Sequence, residues 1–380
     1  MKHYWQLIRD QLGWSLGPER PLQEHLQAAI DWLLLAHAAS SDDGVPHSYD
    51  LRRDCWHASY PETTGYIIPT LLDYHDLFGA PQCRDAALRM ADWEIAEQLP
   101  DGGVRAGTMA AEVVAPTIFN TGQVLFGFAR AYTATREPRF GTALRRAADW
   151  LVDAQDSDGA WRRFPSPFAP GSEVKAYNTR TAFGLVRAWE ALGESRWLDA
   201  AEANAAWALG VTQPNGFLPH NCLTGNPAPL THTLAYSMRG LLEIGVAAKQ
   251  PRYLDHAVRM ADAIAAQQRP DGSMPGRYDA QWQPAANWSC LTGNSQLAIN
   301  WWRLWRITGE ARFADHARAA NRYNMRVQDL RQRNPNRAGA IKGSHPINGG
   351  YMEWRYPNWA TKFFADGLML EMRPDVLNVG

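Results

Sequence analysis

The sequence predicts an all-α fold, an (α/α)6 barrel closed from six repeats of about 57 residues, and three observations predict it. Asp-Gly or Asn-Gly recurs at Gly44, Gly102, Gly159, Gly216 and Gly272, in steps of 58, 57, 57 and 56 residues. A glutamine precedes four of these turns, at Gln98, Gln155, Gln213 and Gln268. A second marker keeps the same step: Pro81, Pro138, Ser195, Pro251 and Ala311, the last four followed two residues on by Phe140, Trp197, Tyr253 or Phe313. Third, each repeat holds two helical stretches of different character, one amphipathic and one apolar nearly all round.

The amphipathic stretches read as outer helices. In PRFGTALRRAADWLVDAQ, Pro138 takes the first-turn position, where its missing N–H costs nothing. Phe140, Ala143, Leu144, Ala147 and Leu151 follow the spacing of a one-sided helix, and Arg145, Arg146, Asp149 and Asp153 lie opposite. The stretch TGQVLFGFARAY is apolar around its circumference, as a helix buried between neighbours must be. Its counterparts are PETTGYIIPTLLDYH, NTRTAFGLVRAWEAL, LTHTLAYSMRGLLEI, LTGNSQLAINWWRLW and NWATKFFADGLML. Outer helices are predicted to start near 21, 81, 138, 196, 251 and 311, and inner ones near 62, 120, 178, 232, 292 and 358. The expected organisation is one barrel domain over 1–380 with an N-terminal extension over 1–20. No stretch has the two-residue alternation of a long strand, which leaves the loops as the place for short hairpins.

Inner-to-outer connections are tight, such as 136–138 and 193–195, whereas outer-to-inner connections are far longer than usual. They run over 39–61, 99–119, 156–177, 212–231, 269–290 and 331–357. All six emerge on one face, where six inner-helix N-termini converge with their partial positive charge and free N–H groups. That face suits an anionic or hydroxyl-rich ligand.

Composition narrows the function classes. Lys and Arg number 38 against 39 Asp and Glu, a net charge of -1, with no basic stripe for nucleic acid. No run approaches the roughly 18 apolar residues of a membrane span. Four cysteines are too few for a disulfide framework, and the first residues lack the apolar core of a secretory signal, so the expected location is the cytoplasm. Cys55 and His57, His220 and Cys222, and Cys290 are zinc-type donors. They lack a CxxC spacing and fall in different repeats, so no metal or other cofactor is expected. GxxxxGK[ST] and GxGxxG phosphate loops are absent. The 17 tryptophans suggest a surface lined for a flat, partly apolar partner.

Candidate site residues are those at the six inner-helix starts and in the loops above them. For catalysis they are Glu62, Asp54, His57, Tyr177, His232 and Tyr236. For substrate binding they are Asp50, Trp56, Tyr60, Glu112, Asn120, Asn178, Arg180, His220, Trp288, Asn294, Glu353, Trp354 and Tyr356, with Glu173, Lys175, His47, His345, Tyr351 and Trp359 nearby. Indole and phenol faces pack on the C–H faces of sugars while amides and charges bind hydroxyls, so the mixture points to an oligo- or polysaccharide. Glu62 stands out: in the first turn of an inner helix it serves either as a catalytic carboxyl or as a cap for its own helix. Glycosyl cleavage asks for two carboxyls roughly 5–10 Å apart. A lyase or epimerase asks instead for a Tyr or His base, here Tyr177, His232 or Tyr236, beside Arg180 or Lys175. A catalytically silent glycan-binding protein is the remaining alternative.

Helix pairs punctuated by Q-x-x-D-G loops resemble the barrels of unsaturated glucuronyl and rhamnogalacturonyl hydrolases and of N-acylglucosamine 2-epimerases. The resemblance implies a hydrolase of acidic, uronate-containing glycans, acting in glycan breakdown or exopolysaccharide metabolism. In those hydrolases aspartates at the starts of two consecutive inner helices carry a reaction that begins by hydrating the substrate's double bond. The matching positions are Glu62, which keeps a carboxyl, and Asn120 or Thr121, which does not. The segment NTGQVLFGFARAYTATREPRF is similar to the helical domain of glucuronyl C5-epimerases.

Overall fold

The computed structural model describes residues 2–167, 174–223 and 225–374. Helix α1 spans Lys2–Gln11. The outer helices are α2 (Leu22–Ala38), α4 (Pro81–Glu97), α6 (Pro138–Ala154), α8 (Ser195–Gly210), α10 (Pro251–Ala265) and α12 (Ala311–Val327). Between them run the inner helices α3 (Pro61–Phe78), α5 (Ile118–Thr135), α7 (Thr179–Leu192), α9 (Thr231–Ala247), α11 (Leu291–Thr308) and α13 (Asn358–Met372). Each predicted start lies within two residues of the observed one.

The inner helices pack in chain order, α3 on α5 round to α11 on α13, and α13 returns to α3. Each outer helix from α4 to α12 backs the inner helix before it, and α2 backs α13, so the first hairpin of the ring is completed by the last helix. The chain is an (α/α)6 barrel. Inner helices approach closely where glycine permits it: a Cβ on Gly127 would sit 2.3 Å from the Gly65 carbonyl oxygen.

The repeated Gln and Asp-Gly now acquire a cause. Gln98, the residue after α4, donates from Nε2 to the Gly102 carbonyl (3.0 Å) and to the Ala143 carbonyl of α6 (3.0 Å). Gln155 does the same to Gly159 and to Ala200 of α8, and Gln268 to Gly272 and to His316 of α12. Within each turn the aspartate accepts the amide two residues on, as Asp101 does from Gly103 at 3.0 Å. The glycine takes the left-handed backbone, +103° at Gly102, and a Cβ there would lie 2.5 Å from the Arg146 carbonyl oxygen. One amide thereby closes a turn and ties neighbouring outer helices.

Two departures from the expected pattern follow. Gln213, three residues before its glycine where the other three stand four before theirs, is exposed and its side chain makes no such bond. A fourth staple, hidden from the sequence by a longer loop, is Gln328, which bonds the Gly339 carbonyl (2.6 Å) and the His25 carbonyl of α2 (3.2 Å) and so links α12 to α2.

Inner-helix side chains anchor the loops from the other side. Thr64, Thr121 and Thr361 accept the amides of Val45, Val104 and Ile341, and Asn294 accepts that of Met274. Short strands β1 (Ser48–Asp50), β2 (Cys55–Trp56) and β5 (Arg355–Pro357) form a sheet in the order β2-β1-β5, joining the first long loop to the last. Strands β3 (Ser289–Cys290) and β4 (Ser344–His345) pair between the fifth and sixth. Helix α1 is held on the sixth loop by buried Asp10, which pairs with Lys342 at 2.6 Å and accepts the Ile347 amide. Among the described residues no helix is long and apolar enough to cross a membrane.

The tryptophan surplus is corrected in its meaning. Trp32, Trp161, Trp197, Trp301 and Trp302 are fully buried, and Trp161 donates to the Leu151 carbonyl while Trp197 donates to Asp149. These indoles weld helices rather than line a surface.

Replacing Gln98 by Ala strands two buried carbonyls, a loss of about 2 kcal/mol. Calorimetry should show Tm falling by about 3 °C for Gln98→Ala and by less than about 1 °C for Gln213→Ala. Equal effects would contradict the staple.

Candidate active site

Helix α3 opens at Pro61, whose ring presets the backbone at a position needing no N–H. Its N-cap is Tyr60, which makes no side-chain cap, and the Thr63 and Thr64 hydroxyls bond the Tyr60 carbonyl instead. Glu62 is therefore not a cap. Its Oε2 accepts the Tyr60 hydroxyl, and the pair is half-buried on the barrel axis.

Around Glu62 stands a wall of rings drawn from four of the six long connections and from the starts of α9 and α13. His47 lies 4.7 Å from Trp359 and 5.4 Å from Tyr60 between ring centroids. Trp359 donates its indole N–H to the Tyr351 hydroxyl at 2.9 Å. Tyr351 faces His232 (5.3 Å), and His232 faces Tyr236 (4.5 Å). Phe119 completes the turn, 5.3 Å from Tyr236 and 5.1 Å from Tyr177. The negative charge of Glu62 reaches Tyr60, Tyr66, Tyr177, Tyr236 and Tyr351, and burial together with that charge drives all five phenols upward from their ordinary value. Among the described residues Glu62 is the one carboxyl in this wall.

Enclosure governs its protonation. Burial penalises the carboxylate and raises Glu62 to about 7, against a smaller downward pull from the Tyr60 hydroxyl. Near neutrality Glu62 holds a proton about half the time. His232 is pushed the other way, to about 4, by burial, with the Gln296 bond opposing it. Its Nδ1–H donates to Gln296 Oε1 at 2.8 Å, leaving Nε2 as the acceptor of a neutral imidazole. His47, lowered to about 3 by burial and by His57 and Arg355, is neutral as well. The site pairs a neutral acid with neutral imidazoles in an aromatic enclosure.

Other candidates are placed by the structure around or away from this wall. Asn120 sits against Tyr60 and donates to the Arg105 carbonyl at 2.8 Å. Asn178 is buried with its Oδ1 unpartnered and lines a cleft with Phe119, Tyr177 and Lys175. Arg180 starts in the first turn of α7, but its guanidinium reaches down to Phe126, 4.1 Å away and two turns inside α5, a layer beneath Tyr236.

The first and last loops hold a second group, occupied with their own architecture. Asp50 accepts the amides of Arg52 and Arg53 and pairs with His57 and Arg355. Asp54 is exposed at the hairpin and takes the Tyr49 hydroxyl, while Trp56 packs on Trp32 and Tyr49. Trp354 lies against Tyr4 and under Arg52, and Tyr356 is bonded by Arg337. Trp288 fills the space above Gly276, Gly349 and Gly350. Asn294 is committed to the Met274 amide, and Glu112, His220 and Glu353 are exposed. His345 is engaged with Asp10. Glu173 lies outside the described residues. Among the described residues no three His, Cys, Asp or Glu side chains converge as a metal site. Phe119 and Gln296, which complete the wall and orient its histidine, were absent from the sequence candidates. Gln296 is one turn past the start of α11, so the rule of looking at helix starts passed over it.

The sequence matches no protein-family model and no curated protein. Solved structures do match over nearly the whole chain. An unsaturated glucuronyl hydrolase specific for heparin aligns at TM-score 0.75 and 16% identity, covering 94% of this chain and 98% of that one. The unsaturated glucuronyl hydrolase of Bacillus sp. GL1, responsible for glycosaminoglycan degradation, gives 0.71 and 15%, covering 93% and 97%. Cellobiose 2-epimerase from Bacillus thermoamylovorans B4167 gives 0.70 and 9%, covering 92% and 98%. These likenesses show the shared barrel fold.

Glu62 makes the folded protein bind a proton that the unfolded chain releases near pH 4.5. Between about pH 4.5 and 7 stability therefore falls as pH rises, by up to about 3 kcal/mol, and the slope ends above pH 7. Denaturant titrations across pH 4–8 should show stability falling more steeply in the wild type than in Glu62→Gln, by that amount over this window. Parallel curves for the two proteins would contradict the raised value.

Proposed function

We propose that this protein is a carbohydrate-active enzyme: a glycoside hydrolase acting on oligosaccharides that end in an acidic, unsaturated uronate, with Glu62 as the proton donor. The observation that carries the reading is a single carboxyl, raised to about 7 and enclosed by aromatic rings at the meeting point of six helix N-termini. Cleavage by two carboxyls needs a partner that the described part of the wall does not supply. Hydration of an enol ether needs only one. Glu62 gives its proton to the ring carbon C4, the positive charge passes to C5 and the ring oxygen, and water adds at C5. The Glu62 carboxylate then takes the water's proton and is restored. The resulting hemiketal opens and releases the rest of the oligosaccharide. Helix N-termini favour the substrate's carboxylate, and the half-buried Tyr60 and Tyr351 are the rings best placed to meet a sugar. Likeness to the glucuronyl hydrolases supports the same class of substrate.

A second reading draws on His232. A neutral imidazole with Nδ1 anchored on Gln296 is poised to remove a proton beside a carbonyl, as an epimerase requires, and the likeness to cellobiose 2-epimerase supports it.

Incubation with saturated and 4,5-unsaturated acidic oligosaccharides in deuterated water separates the two by product mass and NMR. The hydrolase consumes only unsaturated substrates, adds water and places deuterium at C4. An epimerase incorporates deuterium without cleavage. Glu62→Gln should lower kcat/KM by about 10³-fold, and wild-type activity should decline above about pH 7. A variant retaining activity within about tenfold removes Glu62 from the chemistry.

A further inference from the structure

Beneath the aromatic wall the barrel axis carries an excess of buried positive charge. Arg180, Arg239, Arg303 and Lys362 are each at most 7% exposed, and they face two equally buried carboxylates, Glu243 and Asp366. Glu243 is shared by Arg239 and Arg303, and Asp366 is taken by Lys362 and the Thr70 hydroxyl. Nearby Asp73 is matched by Arg130 and changes nothing in this count. Arg180 has no carboxylate in ion-pair contact, although the charge of Asp366 reaches it. It donates from Nε to Gln123 at 3.3 Å, while its Nη2 has no partner at 2% exposure. The faces of Phe126, Phe183 and Tyr236 attract the guanidinium but do not cancel its charge.

The same guanidinium borders a cavity, lined also by Tyr236, Arg239, Gln296, Asn300 and Phe363, with room for about one water-sized particle. Gln296 contributes a second buried donor: its Oε1 is occupied by His232, and its Nε2, next to the Tyr236 hydroxyl, makes no well-formed hydrogen bond at 4% exposure. A buried charge is ordinarily compensated by an opposite charge, and a buried donor by an acceptor. We propose that this cavity is a binding site for one small monovalent anion of the halide class, held by Arg180 Nη2 and Gln296 Nε2. A monatomic anion accepts from both donors and reduces the axial excess from two charges to one. Through Gln296 it also sets the layer on which His232 rests. The site is independent of the reaction proposed for Glu62, because its readouts are diffraction and stability.

Crystals soaked in sodium bromide and recorded at the bromine absorption edge test the proposal on the unaltered protein. An anomalous peak in the cavity, within hydrogen-bonding reach of Arg180 and Gln296, is expected. In solution, chloride or bromide replacing gluconate at constant ionic strength should raise Tm in a saturable manner. The expected rise is about 3 °C at a hundredfold excess over the dissociation constant. Gln296→Glu puts a carboxylate in the cavity and should abolish the halide response. A cavity holding only water, with Tm the same in chloride and gluconate, overturns the proposal. So does stabilisation by glucuronate without any response to halides, which would give Arg180 to the carboxylate of the substrate.

Discussion

A glutamine side chain that bonds two carbonyls at once is the contact on which the rest of this barrel depends. At Gln98, Gln155, Gln268 and Gln328 the amide closes the turn that begins a long loop and grips the next outer helix. Because the turn is fixed to the scaffold, each of these loops leaves at a set angle, and those after Gln98, Gln268 and Gln328 return to an inner helix whose Thr or Asn accepts a loop amide. The loops are long, but both ends of three of them, those that follow Gln98, Gln268 and Gln328, are clamped. A precise mouth can then be built from irregular chain.

That mouth changes the chemistry of the side chains it encloses. In water Glu62 would be ionised near neutrality and His232 would be partly charged. Packed among Tyr60, Tyr177, Tyr236, Tyr351 and Trp359, both are pushed toward their neutral forms, the acid upward and the imidazole downward. One cause, removal from water, moves two groups in opposite directions and yields a proton donor and a proton acceptor within one aromatic wall. Beneath this layer the charge returns in paired form, around Glu243 and Asp366, with Arg180 between the two regimes.

The helices were legible because their signals are local and repeated: proline at the first turn, apolar spacing, and a turn that requires a left-handed glycine. The placement of Glu62 on the axis was legible for the same reason, since position in a repeat becomes position in a ring. What the sequence hid was set by long-range contacts. Asp54 and Glu62 are neighbours in the chain, yet the β1–β2 hairpin carries Asp54 out toward Tyr49. Asn294 has the chemistry of a sugar ligand but is used by the Met274 amide. Gln296 was overlooked because its importance lies in touching His232 on a neighbouring helix, a fact that no spacing encodes.

The central claim is that Glu62 is a carboxylic acid poised near neutrality, and vibrational spectroscopy reads that state directly. Infrared difference spectra between wild type and Glu62→Gln, recorded across pH 5–9 with 13C-labelled glutamate, isolate its carboxyl stretch. The account predicts a protonated-carboxyl band that disappears with a midpoint of about 7. An ionised carboxylate already complete at pH 5 would contradict it and remove the proton donor from the site.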